Sequence, residues 1–484
     1  MPHTVNQLQI VALKLFVLTA VLHAGGAIVG TAQTQLPQIK ISVLPQSIIQ
    51  VEIESSNDSR TWSFLNAYAG ALGLGDRIQK FQAVGISGQT IDVRKIASGE
   101  YQADEAAKRI TYLVNLSEVS ASNLPHISWI ANDHGFLMLA DLLPEFPVPF
   151  RRLSIQLELP SQWLAFCAAK QGADGRYIVD DADVEVIFIG RDLHSRSTVV
   201  RGMELQFVSF GNWSFSEKEA TKSASKVLER YFELTNFKLT KRAAVFLAPL
   251  PAAPGSTQWK AETRGSTVAL VMNPRADFKH WLSQLGVIFT HELLHLWVPN
   301  SLRLKGNYDW FFEGFTLYVA LQTALSLKLI RFQEFLDTLA RVYDSYLSYE
   351  DNQSLIEASE SRWTSRSPIV YDRGMLAAFL YDLTLRKATN SSEKLSDQYR
   401  LLFDRFHGES GDGNDVIIKL LTSSAATREF SKSYVENRNR LELESILASF
   451  GFELSTGGTR SQLKVRNDLT AGQNTLLKSL GYSK

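Results

Sequence analysis

Residues 288–319 read IFTHELLHLWVPNSLRLKGNYDWFFEGFTLYV and contain a chemically specific motif. His291, Glu292 and His295 form the pattern His-Glu-x-x-His inside an apolar segment, which predicts a buried helix. Residues four apart on a helix project from one face, so both imidazoles can reach one metal ion. Glu292 lies one step round the helix, where it can contact a water on that ion. Pro299 is expected to end the helix.

Glu313 is the candidate third ligand. A catalytic zinc site needs three protein ligands and an open position for water. Glu313 lies in WFFEGFTLYVAL, a second apolar segment with helical character. A carboxylate in such surroundings is costly unless it is paired or bound to a cation. The pattern therefore predicts one Zn²⁺ ion held by His291, His295 and Glu313, with Glu292 as general base, which is zinc hydrolase chemistry.

Composition narrows the class of protein. Lys and Arg together number 50, as do Asp and Glu, so the net charge is zero. A neutral chain is a poor match for a nucleic-acid partner, which favours a basic surface. The hydrophobic fraction of 45% is ordinary for globular protein, and the length predicts about two to four domains.

The N-terminal segment predicts export. Residues 1–32 read as a signal peptide, because Lys14 precedes an apolar run and small residues follow it. An uncleaved membrane anchor is the alternative, since the run is near the lower limit for a span. Cys167, the single cysteine, cannot form an internal disulfide and is expected to be a buried apolar residue. A secreted chain without disulfides fits a bacterial periplasm. The expected location is therefore periplasmic or secreted, with no membrane span after cleavage.

Hydrophobic periodicity predicts a multidomain α+β chain. Residues 33–205 alternate with period two, which predicts a β-rich, sandwich-like N-terminal domain. Residues 206–330 combine a helix opened by a capping box at Ser216, several strands and two ligand-bearing helices, which predicts a zinc catalytic domain. Residues 331–456 carry helical spacing and predict a C-terminal helical domain. Residues 457–484 form a polar tail that is expected to be poorly ordered or loosely docked.

Three further segments are interpreted as loops. Residues 251–265 join two predicted strands and are long enough that they could be functional. Residues 350–368 are polar and precede Tyr371. His126 and His134 lie between strands, and they are expected to be loop or packing residues rather than a second metal site, because no ligand spacing recurs.

Four patches resemble the gluzincin peptidases, and within them the glycyl aminopeptidase family. HELLHLW is similar to the zinc helix of that family, and WFFEGFT to its third-ligand motif. IVYDRGMLAAFLYDLTLR is similar to a tyrosine motif of related aminopeptidases, and YVENRNRLELESILASFGFEL to the closing segment. The resemblance covers roughly residues 200–455. It implies a β domain, a thermolysin-like zinc domain and a helical domain, here without the family's usual C-terminal peptide-binding module.

The resemblance also implies roles for individual residues. It implies a zinc ion held by His291, His295 and Glu313. Glu292 would act as base and then as acid, and Tyr371 would donate its hydroxyl to the oxyanion. Glu262 corresponds to the residue that binds the α-ammonium group of a substrate.

One segment departs from the family pattern. WKAETRGST stands where the family has Gly-Gly-Leu-Glu-His-Arg-Asn-Ser-Thr, so Trp259 and Lys260 replace glycines and Thr263 replaces a histidine. Added bulk changes how closely a substrate backbone can approach. The leading prediction is a secreted zinc aminopeptidase whose substrate pairs with the strand at 266–272. A zinc endopeptidase with the same site is the first alternative. A catalytically silent periplasmic peptide-binding or scaffold protein with a structural zinc is the second.

Overall fold

The computed structural model describes residues 36–117, 123–146, 152–239, 242–250, 259–274, 278–350, 352–362, 368–422, 424–456 and 458–483, and for 55–58 and 278–282 only the backbone. The predicted signal peptide at 1–32 lies outside the described residues. None of the helices in the described part combines the length and the apolar character that a bilayer span requires.

The strands follow the alternating segments of the sequence. In chain order they are Gln38–Leu44 (β1), Ile48–Ser63 (β2), Ala67–Tyr68 (β3), Ala71–Leu72 (β4), Ile78–Val84 (β5), Thr90–Ile91 (β6), Val93–Ala97 (β7), Glu100–Asn115 (β8), Trp129–Ile130 (β9), His134–Met138 (β10), Leu153–Glu158 (β11), Leu164–Cys167 (β12), Lys170–Gln171 (β13), Tyr177–Val179 (β14), Val186–Gly190 (β15), His194–Val200 (β16), Met203–Ser209 (β17), Ala243–Pro249 (β18), Trp259–Arg264 (β19), Thr267–Met272 (β20), Phe452–Ser455 (β21) and Gln462–Val465 (β22).

The α-helices lie mostly in the second half of the chain. They are Leu139–Leu142 (α1), Glu217–Thr235 (α2), Phe278–Glu292 (α3), Thr316–Ser326 (α4), Phe332–Leu347 (α5), Leu355–Glu360 (α6), Gly374–Ala388 (α7), Leu395–Phe406 (α8), Gly413–Leu421 (α9), Ala425–Ser431 (α10), Leu443–Leu447 (α11) and Ala471–Leu480 (α12). Single π-helical turns precede α4 and α7, at Trp310–Phe315 and Ile369–Arg373.

Two sheets form the N-terminal β region. The larger has nine strands in the order β13-β14-β11-β1-β2-β8-β5-β6, with β7 pairing β8, and the smaller has the order β12-β15-β10-β9. Alternate residues of β1 and β2, among them Ile39 and Val51, meet Leu137, Ile187 and Ile189 of the smaller sheet in one buried core. The predicted β-rich, sandwich-like region is confirmed.

The smaller sheet is buried on both faces. Val186 and Phe188 of β15 point away from the first core and pack against Phe246 and Val271 of a third sheet. A strand buried on both faces reads as a continuous apolar run, and VIFIG is such a run. The three sheets are therefore stacked, and the smaller sheet is the layer in the middle.

The third sheet has the order β16-β17-β18-β20-β19. Strands β17, β18 and β20 are parallel, whereas β19 runs antiparallel to β20. The sheet already includes β17, so the predicted boundary between 205 and 206 falls inside a strand. The interpretation of 251–265 as a loop is wrong for β19, whose polar sequence WKAETR lacks an apolar alternation. The expectation that 266–272 pairs with substrate is also wrong, because β20 is paired with β18 on one side and with β19 on the other.

Helices cover the other face of this sheet. α2 begins with the predicted capping box, in which the Ser216 hydroxyl accepts from the Glu219 N–H and the Glu219 carboxylate accepts from the Ser216 N–H. One hydrophobic core continues from the sheet through the C-terminal helices and crosses residue 330 without a break. The helical C-terminal region is confirmed, while the domain division at 330 stays a prediction. The tail is not loose, because α12 buries Leu476, Leu477 and Leu480 in the same core.

Candidate metal centre

The two histidines of the motif come from the end of α3. The helix ends at Glu292 and continues as a 3₁₀ turn, Leu293–Leu296. His291 and His295 therefore project from the same side, and their Nε2 atoms lie 3.2 Å apart. Helical turns stop before Pro299, in agreement with the sequence.

Glu313 approaches the histidines from the π-helical turn before α4. Its Oε2 atom lies 3.5 Å from His291 Nε2 and 3.7 Å from His295 Nε2. Among the described residues, these three form the single cluster of His, Cys, Asp and Glu with ligand atoms close enough for one ion. The structure thus brings the three predicted ligands together.

The donor set fits a zinc ion. Tetrahedral zinc with bonds of about 2.0–2.2 Å holds ligand atoms about 3.3–3.6 Å apart, close to the separations found here. His295 Nδ1 donates to the Val298 carbonyl at 3.0 Å, which leaves the Nε2 lone pair for a metal. Burial holds the pKa of His295 below its usual range, so the imidazole is neutral. Burial opposes ionisation of Glu313, but the charges of Arg362 and His295 lower its pKa to about 2.

Glu292, which directly follows His291, is hydrogen-bonded to β19. Its Oε2 accepts a hydrogen bond of 2.6 Å from the hydroxyl of Thr263. Burial raises the pKa of Glu292 to about 7, although His295 and the Thr263 hydroxyl act in the opposite direction. In the sequence, Thr263 differs from the glycyl aminopeptidase pattern, which has a histidine at this position. Its contact with Glu292 was not predicted.

Arg362 connects Glu313 with Tyr371. Its Nη2 atom donates to Glu313 Oε1 and to the Tyr371 hydroxyl, each at 2.7 Å, while Nη1 donates to Asp309 at 2.7 Å. Burial raises the pKa of Tyr371, which therefore keeps its proton and can donate it in a hydrogen bond. Arg362 was missed because it lies in the polar segment 350–368, which was read as a loop although part of it is helical.

Two glycines allow Glu313 and Tyr371 to converge. A Cβ atom on Gly314 would lie 2.5 Å from the Gly374 Cα and 2.6 Å from the Val370 carbonyl oxygen. The two π-helical turns therefore cross with their backbones in contact, which only residues without side chains permit. Gly314 is the last residue of the motif WFFEG, and Gly374 is the last residue of the motif YDRG.

Glu262 lies on β19 beside Thr263 and faces the N-terminal β region. Its Oε1 accepts from the Tyr68 hydroxyl at 2.6 Å and from Arg264 Nε at 3.4 Å, and its Oε2 lies 2.6 Å from His126 Nδ1. Burial opposes ionisation, but His126 and Arg264 lower the pKa of Glu262 to about 2. His126 is a loop residue as expected, yet it contacts a candidate site residue, which sequence spacing did not indicate.

The other predicted polar residues pack elsewhere. His134 is buried on β10 with its ring stacked on Phe210 at 3.9 Å between centroids, so it is a packing residue as expected. Cys167 is buried, and burial raises the pKa of its thiol.

The sequence itself matches no family model and no curated protein. Solved structures do match the fold. An aminopeptidase N family protein from Idiomarina loihiensis matches with a TM-score of 0.74 at 18% identity, over 87% of this chain and 79% of that chain.

A second group of matches comes from Deinococcus radiodurans. Its M1 zinc metallopeptidase matches with a TM-score of 0.55 at 14% identity, over 85% of this chain and 95% of that chain. A structure of a variant of that enzyme, bound to a Tyr-Ser-Ala substrate, matches with a TM-score of 0.54. The chain therefore has the fold of the M1 zinc metallopeptidases and the aminopeptidase N family, which confirms the predicted gluzincin-type architecture.

Proposed function

We propose that the protein is a zinc metallopeptidase that removes residues from the free N-terminus of peptides. One observation carries the proposal. His291, His295 and Glu313 hold their ligand atoms at zinc spacing, while a second glutamate, Glu292, directly follows His291 and stands outside the ligand set. A structural zinc has no use for that extra carboxylate. The fold shared with M1 zinc metallopeptidases, one of them seen with a tripeptide substrate, supports the same conclusion.

The reaction is a hydrolysis in which the side chains move one proton. Zinc, when bound, supplies Lewis-acid chemistry that polarises a peptide carbonyl and acidifies water. Glu292 takes a proton from the attacking water and passes it to the departing amine. Tyr371 donates a hydrogen bond to the carbonyl oxygen as negative charge develops there. In the described part of the sheet β19 is an edge strand, and such a strand offers backbone groups to which an extended peptide can bind.

Glu262 is the proposed contact for the substrate ammonium group. Its pKa of about 2 keeps the carboxylate ionised at neutral pH. It lies on the same strand as Thr263, which contacts Glu292, so the amine and the first peptide bond of a substrate can be bound together. This arrangement favours cleavage at the N-terminus.

An endopeptidase is the second candidate, because Glu262 is already well supplied with donors. Tyr68, His126 and Arg264 together occupy both of its carboxylate oxygens. An ammonium group would have to share them. Trp259, 38% exposed at the start of β19, adds bulk where the glycyl aminopeptidase family has glycine.

One experiment separates the two candidates. Zinc-loaded protein is incubated with a peptide that has a free N-terminus and with its acetylated twin, and the products are followed by mass. The aminopeptidase proposal predicts stepwise loss from the free peptide alone, and a Glu262→Gln variant that loses this activity about 10- to 100-fold. Internal cuts in both peptides would establish the endopeptidase instead. No cleavage of either peptide by zinc-loaded protein would contradict both.

We also propose that the chain is exported, on the basis of the signal-like sequence at 1–32. The proposed location is periplasmic or otherwise outside the cytoplasm. N-terminal sequencing of protein recovered from an exporting host tests this, and a mature start near Gln33 is the expected result. Recovery with Met1 intact would contradict cleavage and favour the anchor.

A further inference from the structure

Strand β19 presents different residues to its two sides. Glu262 and Arg264 share one face, where they contact each other and residues Tyr68 and His126 of the N-terminal β region. Alternation along a strand turns Thr263 to the opposite face. Ala261, on that same face, packs against the core that includes the helices. Thr263 is thus on the face of β19 that is turned towards α3, and it contacts Glu292, the last residue of that helix.

The Thr263 hydroxyl makes two contacts with Glu292. Its Oγ1 lies 2.6 Å from the Glu292 carboxylate Oε2 and 3.2 Å from the Glu292 backbone carbonyl oxygen. A hydroxyl has one proton, and the shorter contact is the stronger bond. No other side chain in the described part of the molecule donates to this carboxylate. The second carboxylate oxygen, Oε1, therefore keeps its lone pairs for another partner.

We propose that Thr263 is a positioning residue for hydrolysis: its hydroxyl holds one oxygen of Glu292 and so aims the other at the attacking water. The inference rests on the proposed peptidase function and adds a residue to it. A carboxylate on a flexible Glu side chain can rotate among several rotamers, and a fixed hydrogen bond selects one of them. A base must lie within hydrogen-bond reach of the proton it takes, so a rotated carboxylate slows the chemical step.

The location of Thr263 also couples substrate binding to the base. The edge of β19 is where a peptide backbone is proposed to bind, and the same strand holds the Glu292 carboxylate. A substrate that pairs with this edge is therefore aligned with the base through a single rigid element. Residues that act on the chemical step in this way are expected to change kcat more than KM.

The test compares Thr263→Val, which keeps the shape of the side chain and removes the hydroxyl, with Thr263→Ser, which keeps the hydroxyl. Thr198→Val, on the opposite edge strand β16 of the same sheet, is the matched control. Each zinc-loaded variant is assayed with the free peptide. The expected kcat of Thr263→Val is about 10- to 100-fold below wild type, with KM within about twofold, whereas Thr263→Ser stays within about threefold and the control is unchanged.

A second readout does not depend on turnover. A phosphinic peptide, which mimics the tetrahedral intermediate, should bind Thr263→Val less tightly by a factor similar to the loss in kcat/KM. The affinity for the cleaved product peptide should not change.

Three results would overturn the inference, and they are distinguishable from each other. An active wild type with a Thr263→Val variant of equal kcat would remove Thr263 from the reaction. Equal losses in the Val and Ser variants would make its role one of packing. A wild type that loads zinc but cleaves no peptide would overturn the proposed function, and this inference with it.

Discussion

Glu292 differs from the two other glutamates of the site in its partners. Glu262 and Glu313 each pair with an arginine, Arg264 and Arg362, and each has its pKa lowered to about 2. Within the described residues Glu292 has no such cation, and burial raises its pKa to about 7. These surroundings agree with the proposed roles, in which Glu262 and Glu313 stay ionised to bind charged groups and Glu292 exchanges a proton.

Glu292→Gln is expected to abolish hydrolysis while leaving zinc bound. Glutamine keeps the shape of the side chain, and its carbonyl oxygen can still accept from Thr263, but it cannot take a proton. We expect kcat to fall by a factor of about 10³ or more, with zinc stoichiometry and thermal stability unchanged. Metal analysis and a peptide assay check this. Unchanged turnover would contradict the mechanism and support the binding-protein alternative.

At the level of secondary structure, the crossing of the two π-helical turns is the contact that assembles the site. Gly314→Ala places a methyl group against the backbone of Gly374 and Val370, which cannot move aside cheaply. We expect a loss of about 1–3 kcal/mol in unfolding free energy, together with weaker zinc binding, because Glu313 is displaced. Denaturant unfolding and a zinc titration measure the two effects.

Gly408→Ala is the control for that substitution. A Cβ at Gly408 meets no atom within 4 Å. The control should therefore keep wild-type stability and zinc affinity. If Gly314→Ala behaved in the same way as the control, the close crossing would not be what positions Glu313.

The middle sheet contains a residue that makes stability depend on pH. Burial lowers the pKa of His134 from 6.5 to about 4, and neither ring nitrogen has a hydrogen-bond partner in the described residues. The unfolded chain therefore binds a proton below about pH 6.5, whereas the folded protein resists it until about pH 4. The stability associated with neutral His134 is complete above pH 6.5 and is lost as the pH falls through this window.

His134→Phe should remove this sensitivity. From about pH 8 to about pH 5, wild type is expected to lose about 2 kcal/mol of unfolding free energy relative to the variant, because phenylalanine does not titrate. Urea unfolding of both proteins at the two pH values gives the comparison. A difference between them that does not change with pH would show that His134 titrates normally.

At the scale of the whole molecule, the last residues belong to the core shared by the zinc site and the helical region. Leu477 is fully buried, and the Arg386 guanidinium donates to the Ser479 carbonyl at 2.8 Å. We expect Leu477→Ala to cost about 2–5 kcal/mol in unfolding free energy. Leu72→Ala, at a side chain that is 81% exposed, should change it by less than about 0.5 kcal/mol. Equal effects in the two variants would mean that the tail is not docked in solution.

Whether a feature could be predicted from the sequence depended on how far apart its interacting residues lie along the chain. Zinc ligands four apart on a helix, a capping box and alternating strands leave local patterns, and these predicted the architecture and the ligand cluster. The environment of Glu262 leaves none. His126 lies 136 residues away and Tyr68 194 residues away along the chain, on segments with no motif of their own. Only the folding of the β region against β19 brings them together.

The tail and β19 were misread for a related reason. Their polar residues outnumber the apolar ones, and composition alone then favours a loop. In α12 a few leucines at helical spacing were enough, because a large core was already present for them to join. In β19 the backbone pairing with β20 supplies the order and does not require apolar side chains.

Because Glu262 and Thr263 are adjacent on β19, their spacing can be compared with the spacing of residues in a bound peptide. One residue of strand advances about 3.3 Å, so a peptide lying alongside moves in steps of that length. Glu262, proposed to receive the amine, and Thr263, proposed to steady the base, are one such step apart along the strand. On these proposed roles we expect release of one amino acid at a time, because a dipeptide product would place the cleaved bond one residue further along the strand. The two proposals together therefore predict that the length of the released fragment is set by the backbone of β19 and does not depend on which side chain is released.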